Sequence, residues 1–454
     1  MRLCVALAAL TGLAGCAPAP GPPSAQRLAT EAAEVPPARE APVRPMPPPA
    51  RANADIARDF LDLAFRLESG RRLPVLTRFE EPITLRLTGR PTPRLAADLD
   101  RLLARLRAEA GLDIRRTASR RAAVTIEAVP RTRIRRVLPQ AACFVVPEVS
   151  SLSEYLSLRR GGVTRWGDLE RRARVAVFVP MDASPQETRD CLHEELAQAL
   201  GPLNDLYRLP DSVFNDDNMH TVLTGFDMLV LRAYYAPELS NGMSRAEVAA
   251  RLPALLARLN PTGERVAPAP LPRTPGRWVE AIQTALGPGA RPAERRTAAA
   301  RAVRIAEAEG WRDHRLAFAH FALGRVAHTT APAEARAAFR RADRIYAASD
   351  GTALHRAFVG AQLAAYALAD GDPARVRARA AAHLPVAARH ENAMLEATLL
   401  MLRAQALEMQ GRRAEARAAR LDSLERARYG FGSQRAVRAK LREIAALDPS
   451  ASGG

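Results

Sequence analysis

The densest run of chemistry-bearing residues in this 454-residue chain is Cys191-Leu192-His193-Glu194-Glu195-Leu196-Ala197-Gln198, continued by Gly201, Asn204 and Asp205. It follows a β-rich run ending at Pro180, and Ser184-Pro185-Gln186-Glu187 carries helix-start signals. Side chains at i and i+4 share one helix face, so two ligands at that spacing can hold a metal ion. A Glu beside the first can then act as general base toward a bound water. Reading from His193 leaves Ala197 at the second ligand position, and Ala197 cannot ligate. Shifting by one residue puts Glu194 and Gln198 in the paired positions, Glu195 in the catalytic one, Gly201 at a turn and Asn204 at a third ligand position. This register explains more residues. Its donors, one carboxylate and two neutral amides, are poor for Zn²⁺. Ca²⁺ accepts such oxygens, and Asp205, Asn215, Asp216 and Asp217 offer more of them. Alternatively, Gln198, Asn204 and Asp205 are buried groups bonded to backbone that pin the loop after the helix.

The second register resembles the extended zinc-protease signature H-E-x-x-H-x-x-G-x-x-H, with Glu194, Gln198 and Asn204 where its histidines stand. Met219-His220 lies where a Met-turn would fall, and Leu223 to Tyr235 looks like the last helix of such a core. The blocks holding His193, Gly201, Asp205, Asn215, Asp216 and Asp227, with Tyr235 to Met243, also resemble an uncharacterised lipoprotein family of Gram-negative bacteria. That family is known only as a domain of unknown function, and the likeness runs over roughly residues 55 to 250. It implies a degenerate zincin-like architecture and lends no reaction.

The elements around this block alternate in type. Helical periodicity covers 54–67 and 96–110; 73–79 and 83–87 look extended; 122–129, 141–146 and 173–179 are β-rich. Residues 53–259 therefore read as one α+β zincin-like domain. Cys143 and Cys191 are the two cysteines left for it, and an even count outside the cytoplasm favours a disulfide over two separate buried thiols. A linker with five prolines follows at 260–275. Residues 276–448 then read as an all-α repeat domain. Gly324, Ala364 and Ala404 recur at 40-residue spacing, as do Gly371 and Gly411 at the helix turns, and Ala335, Phe339, Ala342 and Ala416 fill small and aromatic positions. This resembles tetratricopeptide-type hairpins, with a longer period than usual.

The amino terminus places the protein. Arg2, an apolar run from Leu3 and the ending Leu13-Ala14-Gly15-Cys16 form a secretory leader that resembles the bacterial lipoprotein box. The resemblance implies cleavage after Gly15 and lipid attachment at Cys16, with residues 16–52 as a Pro/Ala-rich tether. Ala17 after the lipidated cysteine favours the outer membrane facing the periplasm. The net charge is +18. One lysine against 66 arginines, spread among acids along amphipathic helices, with only 5% aromatic residues, argues against nucleic acid as a partner. The expected protein is an anchored, non-catalytic envelope scaffold whose repeats bind another envelope protein. The alternative is a periplasmic metal-dependent hydrolase using Glu195. No cofactor is expected, a divalent cation being the one left open by the donor set.

Overall fold

The computed structural model describes residues 46–449. The leader, Cys4, Cys16 and most of the tether lie outside them. The described chain divides into two units, one made of Thr188–Val279 and the described part of Val43–Ala183, the other mainly from Glu280 onward.

The first unit is built on a five-stranded mixed sheet of order β2-β1-β3-β5-β4. Its strands are β1 (Ile83–Gly89), β2 (Ile114–Arg116), β3 (Val124–Val129), β4 (Phe144–Pro147) and β5 (Val175–Pro180). β1, β2, β3 and β5 are parallel, with Ile83 beside Ile114, Leu85 beside Val124 and Ile126 beside Val177. β4 runs antiparallel to β5 at the edge. A parallel strand covered on both faces reads as a continuous apolar run, and β5, VAVFVP, is buried at every position. Val175, Val177 and Val179 face the main core with Leu192 and Leu196, while Ala176 and Phe178 face a smaller cluster with Ile134 and Phe144.

Seven helices of this unit follow in chain order: α1 (Asn53–Ala64), α2 (Pro93–Ala110), α3 (Arg131–Val137), α4 (Leu152–Leu158), α5 (Pro185–Leu200), α6 (Gly225–Tyr234) and α7 (Arg245–Leu259). Residues 73–79, extended on the sequence pattern, form no strand. Pro74 interrupts the run, and the backbone bonds go elsewhere: Leu76 donates to Met243 O and accepts from Gly242, and Arg78 N–H donates to Asn241 Oδ1. The strand at Ile114–Arg116 was not apparent, being three residues long with two of them exposed.

Both segments read as linkers reach onto the domain. Arg51 stacks on Phe226 at 4.1 Å and pairs with Asp59 and Asp211. The Pro47 carbonyl passes so close to Gly225 that a Cβ there would fall 1.9 Å from it. At the other end, Asn260 Nδ2 donates to Asn53 Oδ1, Asn53 Nδ2 donates to the Asn260 backbone carbonyl, and Ala269 N–H donates to Asp55.

The second region is helical throughout its regular structure: α8 (Gly276–Leu286), α9 (Pro292–Ala308), α10 (His314–Ala327), α11 (Pro332–Ala347), α12 (Ala353–Ala369), α13 (Pro373–Arg389), α14 (Ala393–Met409), α15 (Arg413–Phe431) and α16 (Gln434–Ala445). The first helices of three successive hairpins start at His314, Ala353 and Ala393, which are 39 and 40 residues apart. The spacing of Gly324, Ala364 and Ala404 is thus the repeat of the structure. Gly371 and Gly411 end α12 and α14 at φ of 71° and 72°. Ala335, Phe339, Ala342 and Ala416 are buried.

Candidate functional site

α5 leaves the sheet just past β5, and Thr188 Oγ1 donates to Pro180 O at 3.0 Å, tying the turn. A surface helix keeps one polar face. From Cys191 to Leu200, however, every residue is buried except Glu194, which is half-buried. Polar side chains on this stretch sit in the interior, where hydrogen-bond partners decide their role.

His193 has such a partner. Its Nδ1 accepts from Leu223 N–H at 3.1 Å, so the ring's proton belongs on Nε2. Burial, together with the guanidinium groups of Arg189, Arg105 and Arg101, holds its pKa well below the ordinary histidine value. Arg105, from α2, donates to Leu223 O at 3.0 Å. Both polar atoms of the Leu223 backbone are therefore fastened just before α6 begins.

The other end of α5 carries a residue that the motif did not single out. Arg172 Nη1 donates to Gln198 O at 2.6 Å and Ala199 O at 2.7 Å, and Nη2 donates to Gly201 O. Its Nε reaches Thr77 Oγ1 at 3.3 Å, its plane lies 4.9 Å from the Trp166 ring, and only 4% of it is exposed. Tyr235 Oη donates to Leu200 O at 2.8 Å. The last carbonyls of a helix lack intrahelical partners and carry its negative dipole end. Here a buried cation and a phenol satisfy them. Gly201 follows, and a Cβ there would come within 3.0 Å of the Tyr234 ring.

Asn204 Nδ2 donates to Asp62 O at 2.9 Å, so this amide ties the loop to α1. Gln198 is 2% exposed and its Nε2 has no hydrogen-bond partner. Glu195 is fully buried. Among the described residues, one group brings three ligand atoms of Cys, His or carboxylate side chains within 4.8 Å of one another: Cys143, Glu194 and Glu195. Cys143 is bonded to Cys191 in a disulfide, with Cα atoms 5.9 Å apart. A disulfide sulfur is no thiolate ligand, and two carboxylates fall short of the three protein ligands that a catalytic zinc takes. Zinc does not fit this donor set.

The acidic loop is internally bonded as well. Asn215 Nδ2 donates to Leu209 O and Asp217 Oδ2, and Asp217 Oδ1 accepts from Met219 N–H. His220 Nε2 lies 3.0 Å from Pro210 O. Burial, together with the charges of Asp216, Asp217 and Asp205, pushes the pKa of Tyr207 well up.

Asp227 organises the rest of the loop. It accepts from Ser212 Oγ at 2.5 Å, Val213 N–H at 3.1 Å and Thr224 N–H at 2.8 Å, and closes a capping box with Thr224 at the start of α6. Complete burial lifts its pKa to about 6, against the pull of those hydrogen bonds. Every polar contact of this carboxylate holds residues 211–224 in place.

The comparison with known families finds its match over the same stretch of chain as this unit, short of the unit's C-terminal end. A DUF2927 domain covers residues 53–254. Its family is described only as a protein of unknown function. The DUF2927 match begins at the first residue of α1 and ends within α7, leaving the helical region outside it. No curated protein and no solved structure matches the chain.

Proposed function

We propose that this protein is an envelope lipoprotein anchored through Cys16, whose DUF2927 domain is a zincin-like core without catalysis and whose helical repeats bind another envelope protein. The observation that carries the non-catalytic reading is the use made of the motif positions. Asn204 Nδ2 ties the loop to Asp62 O, Cys143 is held in a disulfide, and Arg172 closes the end of the helix. Such side chains support a loop and the end of a helix. The disulfide supports a home outside the reducing cytoplasm. The 40-residue hairpin period supports a stacked repeat, an architecture that presents extended surfaces to peptides and proteins.

Elemental analysis of the full chain, purified without chelators or a His tag, tests the catalytic half. Absence of a stoichiometric metal is expected, and one equivalent of zinc lost on Glu194→Ala/Gln198→Ala would overturn the reading. Crosslinked capture from envelope fractions tests the binding half. Deleting residues 276–454 should abolish capture, and Glu195→Gln should leave it intact.

A second reading, a metal-dependent hydrolase, is favoured by one observation: the Glu194 and Glu195 carboxylates come together near Cys143. It requires peptide hydrolysis that disappears in Glu195→Gln and on treatment with a chelator.

A further inference from the structure

The repeat region contains a cavity of about 80 Å³ with charged walls. α11 contributes Arg336 and Arg340, α13 contributes Arg375 and Arg379, and α12 lays Leu363 and Tyr366 between them. Asp370, just past α12, is the single carboxylate of the lining. Arg336 already grips it through a fork, Nη1 to Oδ2 at 2.8 Å and Nη2 to Oδ1 at 2.7 Å. Arg375 turns to Asp372 at 3.4 Å, and Arg379 lies 3.9 Å from Asp343. Arg340 has no acidic partner among the described residues. The Tyr366 hydroxyl is buried without a hydrogen-bond partner, and the Arg336 guanidinium stacks on its ring at 4.8 Å. Burial lowers the pKa of Arg379 against the pull of Asp343, and the nearby Arg375, Arg356 and Arg340 lower it further. Positive charge here exceeds what the domain's own carboxylates balance.

Guanidinium groups recognise planar carboxylates through two parallel bonds, the mode that Arg336 and Asp370 display. Size bears on the choice of anion. A water needs about 10–15 Å³ of such space, so this pocket, open to solvent on one side, holds a handful of heavy atoms, enough for an acidic side chain. We propose that the cavity formed by Arg336, Arg340, Arg375, Arg379 and Tyr366 receives a carboxylate side chain from an acidic, extended segment of a partner protein. The Tyr366 hydroxyl donates to that carboxylate, and Arg340 and Arg379 neutralise it. This inference rests on the reading of the repeats as a protein-binding unit.

Titration of a fluorescein-labelled hexaglutamate peptide with the full chain, read by anisotropy near physiological ionic strength, tests it. Saturable binding is expected, weakened about tenfold by Arg340→Gln, the loss of one charge-assisted contact, and weakened less by Tyr366→Phe. Arg340 is exposed, so its replacement does not threaten the fold. Arg438→Gln removes an equal charge from an exposed site on α16 and should change nothing. Three outcomes overturn the proposal: no saturable binding, an equal loss in Arg438→Gln, or displacement of the peptide by pyrophosphate at concentrations matching those of free hexaglutamate. Crosslinked capture separates this site from the broader reading. Undiminished capture by Arg340→Gln/Arg379→Gln removes the cavity and keeps the repeats as a partner surface. No capture by the unaltered chain removes the partner reading, while the titration still decides whether the cavity takes a carboxylate.

Discussion

Arg172 is one arginine among 66, flanked by Arg171 and Arg174, and no pattern in the sequence distinguishes it. Only the fold reveals that it closes the C-terminal end of α5 from within the core. Replacing it by Ala strips the buried carbonyls of Ala199 and Gly201 of their donor and leaves Gln198 O only the Gly201 N–H at 3.3 Å, at about 1–3 kcal/mol for each group left dry. We expect Arg172→Ala to lower the urea-unfolding free energy by about 3 kcal/mol or more, with the exposed Arg171→Ala near zero. Equal losses in the two would refute the capping role. Asp227 sets a pH dependence. Its folded pKa of about 6 lies above the ordinary aspartate value of 3.8, so the folded state holds its proton more tightly than the unfolded chain. That contribution is fully present below the unfolded pKa and is lost as pH rises through about 6. Between pH 4.5 and 7.5 it amounts to about 2 kcal/mol. The wild type should therefore lose about that much more stability over this interval than Asp227→Asn, as measured by denaturant titration at the two pH values.

At the scale of elements, what was legible tracks which forces act locally. α5 announced itself through Ser184-Pro185 and Gly201, β3 and β5 through their apolar runs, and the hairpins through small residues that recur because paired helices approach closely. These signals depend on near neighbours in the chain. The path of 73–79 depends on Asn241, Gly242 and Met243, more than 160 residues away, and so it was invisible. The motif itself was legible as a spacing. Its present use was not, because Asp62, which receives Asn204, and Thr77, which receives Arg172, lie in segments that carry no motif. One long-range tie did follow from counting: Cys143 and Cys191 are joined across 48 residues. Closing such a loop stabilises by about 4 kcal/mol in the chain-entropy model. Cys143→Ser/Cys191→Ser should lose about that amount, and adding dithiothreitol to the double variant should change nothing further. A wild type insensitive to dithiothreitol in the unfolding transition would argue that the bridge is absent in solution.

For the whole molecule, the proposal to test is attachment to a membrane through a residue outside the described ones. None of their helices is long and apolar enough to cross a bilayer. The expected anchor is Cys16. Acyl chains contribute about 0.8 kcal/mol per buried CH₂, and a single chain binds only reversibly, whereas two or more hold firmly. Basic residues on the folded part could add an electrostatic attraction to acidic lipid, and salt would screen it. The two sources therefore separate experimentally. The wild-type protein should sediment with membranes after a high-salt wash and take up labelled fatty acid, and Cys16→Ser should do neither while keeping the same unfolding midpoint. A Cys16→Ser protein that remains in the washed membrane pellet would mean that another part of the chain holds the bilayer, and the lipoprotein reading would fall. Release of the wild type by salt alone would assign the attachment to surface charge.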